Sequence, residues 1–337
     1  MKILFIAEKL HYRDWTGKTY SDLLLHFKLH SNHDVTIIYT DQKINMTTFE
    51  MPNIIVFFDT ATLIFGNKYK QLFDLNIPIF ASSLDLFNVI ICVNCNYIKK
   101  CSGILHFGYA SKLLSSYKDY FPNKIIRSFK GRFINKERFK NYNQEKIYDI
   151  LIYGTRKYIN SIELLNNADK EYKQKWELHY QTQLPDKWSF YPIREKVEQL
   201  LINNPNKYRV HIVPHACIFD AKIANEKLSQ LINQSWLTLA CSTRSDMPMA
   251  KYFEISGSYS GILGDIPSDY NDLFKDNIVE INEWMTDEEI LNTIDVALEN
   301  KQKLQEMINK LGNKIQLEYD LDAGVKDMDM IFDEIIN

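Results

Sequence analysis

The strongest constraint in this sequence is a rhythm. Short apolar runs alternate with longer stretches whose apolar residues recur at helical spacing, and the pattern breaks near residue 143 and then begins again. In the first part KILFIA (2–7), DVTIIYT (34–40), NIIVFFD (53–59), IPIFASS (77–83) and GILHFGY (103–109) read as strands. Between them TYSDLLLHFKLHSN, NKYKQLFDLN and ASKLLSSYKDYF read as helices. Alternation of this kind is the signature of βαβ units on a parallel sheet, because parallel neighbours need a long crossover where antiparallel ones need only a turn.

A polar, charged stretch, FINKERFKNYNQEKI (133–147), interrupts the rhythm as a crossing between domains does. It resumes with YDILIYG (148–154), YRVHIVPH (208–215), WLTLACS (236–242), GILGD (261–265) and NIVEI (277–281) as strands. PIREKVEQLLINN, NEKLSQLINQ and the stretch from Met249 to Ser256 read as helices, and Thr286 to Asn337 is helical and charged. The expected fold class is therefore α/β, with two Rossmann-like domains facing each other across a cleft. The first spans 1–143 and the second 144–317, with the last helix, about 318–337, packing back on the first.

At 337 residues the chain is long enough for two such domains. Hydrophobic residues at 45% and charged residues at 25% exclude disorder, and a formal charge of −3 gives no overall pull toward nucleic acid. The five cysteines, Cys92, Cys95, Cys101, Cys217 and Cys241, lack the density of a secreted disulfide framework. Cys92-x-x-Cys95 lacks a second ligand pair at zinc spacing. The N-terminal apolar run is too short for a signal peptide, and no later run reaches the length of a membrane span. A cytoplasmic protein without an integral membrane segment is the expectation.

Residues 16–19, TGKT, copy the end of a phosphate-binding loop, but Tyr12 stands where such a loop needs its first glycine. Tyrosine does not readily take the positive-φ geometry that glycine gives the turn. A triphosphatase would need magnesium-dependent ATP turnover lost on Lys18→Ala.

The richest segment is RSDMPMAKYFEISGSYSGILGDIPSDYNDLFKDNIVEI (244–281). It resembles the nucleotide-sugar glycosyltransferases of the GT-B fold, in particular the retaining group 1 type. There a helix carries two acids eight positions apart, followed by a small-residue turn, a strand, an aspartate with a proline, and a loop of the form LFxDNIVEI. Glu254 matches the second acid and Asp246 stands at the first, with Asp265, Pro267 and LFKDNIVEI (273–281) after them. Were the helix to begin at Asp246, with Pro248 in its first turn, both acids would share one face.

The resemblance implies that Glu254 accepts hydrogen bonds from the ribose hydroxyls of a UDP- or GDP-sugar. It implies cations for the leaving diphosphate, here Arg156 and Lys157 in YGTRKYIN, with Gly154 allowing close backbone approach, and Arg244 and Lys251 as second candidates. Asp246, Lys251 and Arg156 are the catalytic candidates, and His215 is a further donor-side candidate. In the first domain Gly17 and Lys18 approach the donor, while His11, Asp14, Asp85 and His106 stand on the acceptor side. No cofactor and no metal are expected beyond the nucleotide-sugar co-substrate, and the acceptor is a glycan or other hydroxyl compound. A nucleotide-sugar epimerase of the same fold and a catalytically inactive binding protein are the alternatives.

Overall fold

The structure is a computed structural model describing all residues except 10–18, 46–49, 59–65, 84–95, 107, 110, 155–157, 160–187, 190, 214–220, 243–245, 247 and 337. It divides into two compact units, Met1–Phe133 with Leu321–Asn337, and Ile134–Asp320.

The first unit is built on a six-stranded parallel sheet of order β2-β1-β3-β4-β5-β6. Its strands are β1 (Lys2–Ala7), β2 (Asp34–Tyr39), β3 (Ile54–Phe58), β4 (Ile79–Ser83), β5 (Gly103–His106) and β6 (Ile125–Ser128). Every residue of β3 is buried, as expected of a central strand covered on both faces. Its helices are α1 (Thr19–His30), α2 (Asn96–Lys100) and α3 (Ser111–Tyr120). NKYKQLFDLN, expected as a helix, forms turns and a 3-10 segment, Lys70–Asp74, that buries Leu72. β6 begins in a stretch given no strand above, and it borders the sheet on one side only.

The second unit carries a five-stranded parallel sheet of order β10-β7-β11-β12-β13, and a small antiparallel pair, β8 (Tyr158–Ile159) with β9 (Trp188–Ser189). The sheet strands are β7 (Tyr148–Ile152), β10 (Val210–Ile212), β11 (Ser235–Leu239), β12 (Gly261–Gly264) and β13 (Val279–Glu280). Helices α4 (Pro192–Asn203), α5 (Ala221–Asn233), α6 (Ala250–Gly257), α7 (Asn271–Phe274), α8 (Asp287–Glu299) and α9 (Lys301–Glu318) follow in chain order. Ile150, Ile152, Leu237, Leu239 and Leu263 from the sheet pack with Val197, Leu201, Ile290, Ile294 and Leu304 from the helices. Each such buried side chain stabilises the unit by about 1.5–3 kcal/mol relative to exposure.

The division falls between Phe133 and Ile134, where the sequence pattern places it near Asn143. The intervening stretch is bonded into the second unit: Ile134 N donates to Tyr319 O at 2.8 Å and Gln144 N to Asn233 Oδ1 at 3.1 Å. The helical tail is three helices. α8 begins on a capping box between Thr286 and Glu289, and α9 on Asn300, whose side chain accepts from Lys303 N at 3.1 Å. The last, α10 (Leu321–Ile336), belongs to the first unit. There Phe332 meets Phe27 of α1 at 5.8 Å between ring centroids, and Asp329 accepts from Ser31 Oγ at 2.5 Å.

Candidate functional site

In the second sheet the chain runs from β7 outward to β10 on one side and to β11 on the other, so the order reverses between β7 and β11. Crevices at the carboxyl ends of strands open at such a reversal. Tyr153 and Gly154 follow β7 at this point, and Ala240, Cys241 and Ser242 follow β11.

Gly154 has φ +101°, a conformation that side-chain-bearing residues rarely take. A Cβ there would collide with the ammonium of Lys251 and lie 3.7 Å from a guanidinium nitrogen of Arg194. Glycine thus makes room for the Lys251 ammonium against the backbone, with the Arg194 guanidinium beside it. Lys251 comes from the first turn of α6, where its Nζ donates to Tyr153 O and stands 4.2 Å from the Tyr153 ring centroid. Burial first, then the neighbouring Arg194 charge, holds its pKa well below the usual lysine value. Arg194 comes from the first turn of α4, is 2% exposed, and lies 4.1 Å from the ring centroid of Tyr191.

One turn along α6, Glu254 shares the face of Lys251, since residues three apart are neighbours on a helix. Tyr153 donates its hydroxyl to Glu254 Oε2 at 3.4 Å, and burial followed by the Glu254 charge drives the phenol pKa well above its ordinary value. The opposite face of α6 is anchored through Tyr252, Phe253 and Ile255, all fully buried. Asp265, after β12, fixes the end of β11. It accepts from Ser242 N and Tyr252 Oη, each at 2.9 Å, and from Ser242 Oγ. Burial raises its pKa in spite of these bonds.

The expected helix from Asp246 is corrected. α6 starts at Ala250, so Asp246 and Glu254 do not share a helical face. Asp246 sits in the preceding loop with φ +64°, where its carboxylate accepts from Ser268 N at 3.1 Å and from Ser268 Oγ. It closes the loop after β11 onto the 3-10 turn Ser268–Tyr270. Asp is among the few residues that tolerate this φ, and the buried Pro248 follows two positions later, outside the helix.

Of the sequence candidates, Gly154, Lys251 and Glu254 come together. Arg156, Lys157, Arg244 and His215 lie outside the described residues, as do His11, Asp14, Gly17, Lys18 and Asp85. His106 ends β5 in the first unit with 0% exposure, and its Nδ1 stands 2.7 Å from Gly108 O. Burial lowers its pKa to about 4, so the ring is neutral. Arg194 was not singled out by sequence reasoning. Its signal was the proline at the start of PIREK, which sets Arg194 in the first turn of a helix at the sheet's carboxyl edge.

Among the described residues no group of three or more His, Cys, Asp or Glu could hold a metal ion. Cys101 and Cys241 are buried free thiols, while Cys92, Cys95 and Cys217 lie outside the described residues. No helix of the described residues is long and apolar enough to cross a membrane.

Two parallel-sheet α/β units, of six and five strands, match the GT-B fold class. Solved structures of that class match the whole chain. Sucrose-phosphate synthase from Thermosynechococcus elongatus aligns over 100% of this chain and 99% of its own at 10% identity, with a TM-score of 0.60. Anabaena HepE in complex with UDP and glucose aligns over 99% of this chain and 100% of its own at 10% identity and 0.57. A glycosyltransferase from Rickettsia africae aligns over 100% and 98% at 12% identity and 0.55. No protein-family model and no curated protein sequence matches the chain.

Proposed function

We propose that this protein transfers a glycosyl group from a nucleoside-diphosphate sugar to a hydroxyl acceptor, with the donor held at the carboxyl end of the second unit's sheet. The observation that carries the reading is the convergence of Lys251 and Arg194 at Gly154, after β7, with Glu254 one turn along α6 from Lys251. A diphosphate gains negative charge as the glycosidic bond breaks, and fixed cations at low dielectric stabilise that charge without reorganising. Arg194 and Lys251 meet this need, joined by Arg156 and Lys157 after β7. Glu254 takes the ribose hydroxyls, and Tyr153 orients its carboxylate. The neighbour solved with UDP and glucose makes a UDP-sugar the first donor to try, ahead of a GDP-sugar.

Transfer is proposed to proceed with retention and without a metal, the cations serving the role a divalent ion has in other transferases. Asp246 supports the geometry of the loop leading into α6. The first unit is proposed to hold the acceptor, a glycan or other hydroxyl compound, in a cytoplasmic protein.

The test is nucleoside-diphosphate release from a panel of UDP- and GDP-sugars, with and without sugar and lipid-alcohol acceptors and in the presence of chelator. Acceptor-dependent release that persists with chelator and falls in Glu254→Ala is the expected result. Release or epimerisation without acceptor would replace transfer by epimerisation, and magnesium-dependent ATP turnover alone would overturn the reading.

A further inference from the structure

Charge is segregated along this chain. Residues 96–133 carry eight lysines and arginines and a single acid, Asp119, in a protein whose formal net charge is −3. Some of these cations have evident roles. Arg127 Nε lies 3.4 Å from Glu334 of α10, and the Lys130 backbone N–H donates to Asp327 of the same helix at 2.7 Å. Arg132 is buried against Gly108.

At the amino ends of β5 and β6 the pattern differs. The Lys124 ammonium donates to Lys99 O at 2.9 Å and to Cys101 O, capping the end of α2. That fixes Lys99 and Lys100, in the last turn of α2, beside Lys124. Lys118 stands in the last turn of α3, and the chain then turns sharply, with Lys124 N donating to Phe121 O at 3.0 Å. Two helix ends and two strand starts therefore deliver four lysines to one corner. Lys99, Lys100 and Lys118 are exposed and Lys124 is half-buried. Among the described residues none of the four forms an ion pair with an acid. Exposed Pro122 lies between them, and Ile125, 38% exposed, starts the border strand β6.

A cation in a helix's last turn complements the helix dipole, and Lys124 already meets that need for α2. Lys99 and Lys100 are surplus to it, and Lys118, which serves the end of α3, stays exposed. Lysine is a compact, strongly hydrated charge suited to diffuse attraction, whereas bidentate phosphate recognition favours arginine. The exposed neighbours are isoleucine and proline, which suit a headgroup layer better than the stacked bases of a nucleic acid. We propose that this corner of the first unit is a docking surface for an anionic phospholipid bilayer. The inference is independent of the donor site.

Flotation of the full chain with vesicles tests it. Vesicles of phosphatidylcholine and phosphatidylserine in a two-to-one ratio should carry the protein at ~0.1 M salt and release it at ~1 M, while pure phosphatidylcholine should not. Lys99→Gln, Lys100→Gln and Lys118→Gln should each weaken partition about fivefold, and the triple variant about a hundredfold, with Lys124 kept so that the cap of α2 survives. A control triple in α9, Lys303→Gln, Lys310→Gln and Lys314→Gln, makes the same change in net charge and should shift partition by less than about twofold. Equal loss in both triples, failure to float with anionic vesicles, or tighter salt-dependent binding of a single-stranded oligonucleotide than of vesicles would each overturn the proposal.

Discussion

The two units use one architecture and differ in what they do with a buried titratable group at a strand's end. In the first, His106 ends β5 wholly enclosed, its Nδ1 matched to Gly108 O and its pKa lowered to about 4. In the second, Lys251 is equally withdrawn from water, but its ammonium rests on one carbonyl and one ring in the room that Gly154 leaves, with the Arg194 guanidinium near it. A neutral histidine bonded to its own chain is at rest. A lysine whose charged form is disfavoured by burial and by an arginine gains most when an anion arrives. The difference shows why strand-end position alone does not define a site: the company a buried group keeps, here a second cation, decides.

The largest expected effect breaks the second half of this comparison. Lys251→Met keeps the volume and the ring contact but removes the charge. Turnover should fall about 10²–10³-fold, as when one preorganised stabilising group is lost, while the melting temperature holds or rises because a buried charge is gone. A variant that retains turnover would place the diphosphate elsewhere.

The next prediction addresses the first half. His106 titrates near 6.5 when unfolded and at about 4 in the fold, so the native state binds fewer protons between those values. Stability is full above pH 6.5 and is lost as pH falls toward 4, by up to about 3 kcal/mol. In His106→Leu that loss should vanish, and urea unfolding at several pH values compares the two proteins. Parallel pH profiles would show that His106 takes no part.

Smaller, but specific to ligand, Glu254→Ala should weaken UDP binding about 10- to 100-fold through loss of charge-assisted hydrogen bonds to the ribose, with urea stability changed by less than about 1 kcal/mol. The smallest effect belongs to Asp246→Asn. Asparagine tolerates the +64° φ and still accepts from Ser268, so stability should fall by less than about 1 kcal/mol and UDP affinity should stay. Lost turnover at unchanged UDP affinity would instead give Asp246 a role at the sugar.

The parallel strands were legible because strands buried on both faces read as unbroken apolar runs: KILFIA coincides with β1, and NIIVFFD contains β3 with one residue to spare at each end. β6 was not, because IIRS is four residues long, mixed in polarity and bordered by the sheet on one side only. α6 was legible as Met249–Ser256, within a residue of its bounds, but its extension back to Asp246 fails because spacing by eight residues takes no account of φ, and an aspartate in the left-handed region cannot begin a helix. Lys251 and Glu254 were reachable from the segment that contains them. Arg194 was not, since an arginine in PIREK reads as a solvated helix charge until the fold brings that helix's first turn to the end of β7. Gly154 was named for close backbone approach to a phosphate; the structure shows the Lys251 ammonium making the close approach there, at φ +101°.

The central claim, that Lys251 and Arg194 beside Gly154 hold a diphosphate, is tested most directly by calorimetric titration of UDP into the wild-type protein, Gly154→Ala and Lys251→Met. The account predicts saturable binding to the wild type and at least a tenfold loss in both variants, because one displaces the Lys251 ammonium and the other removes its charge. UDP affinity unchanged in both would contradict it.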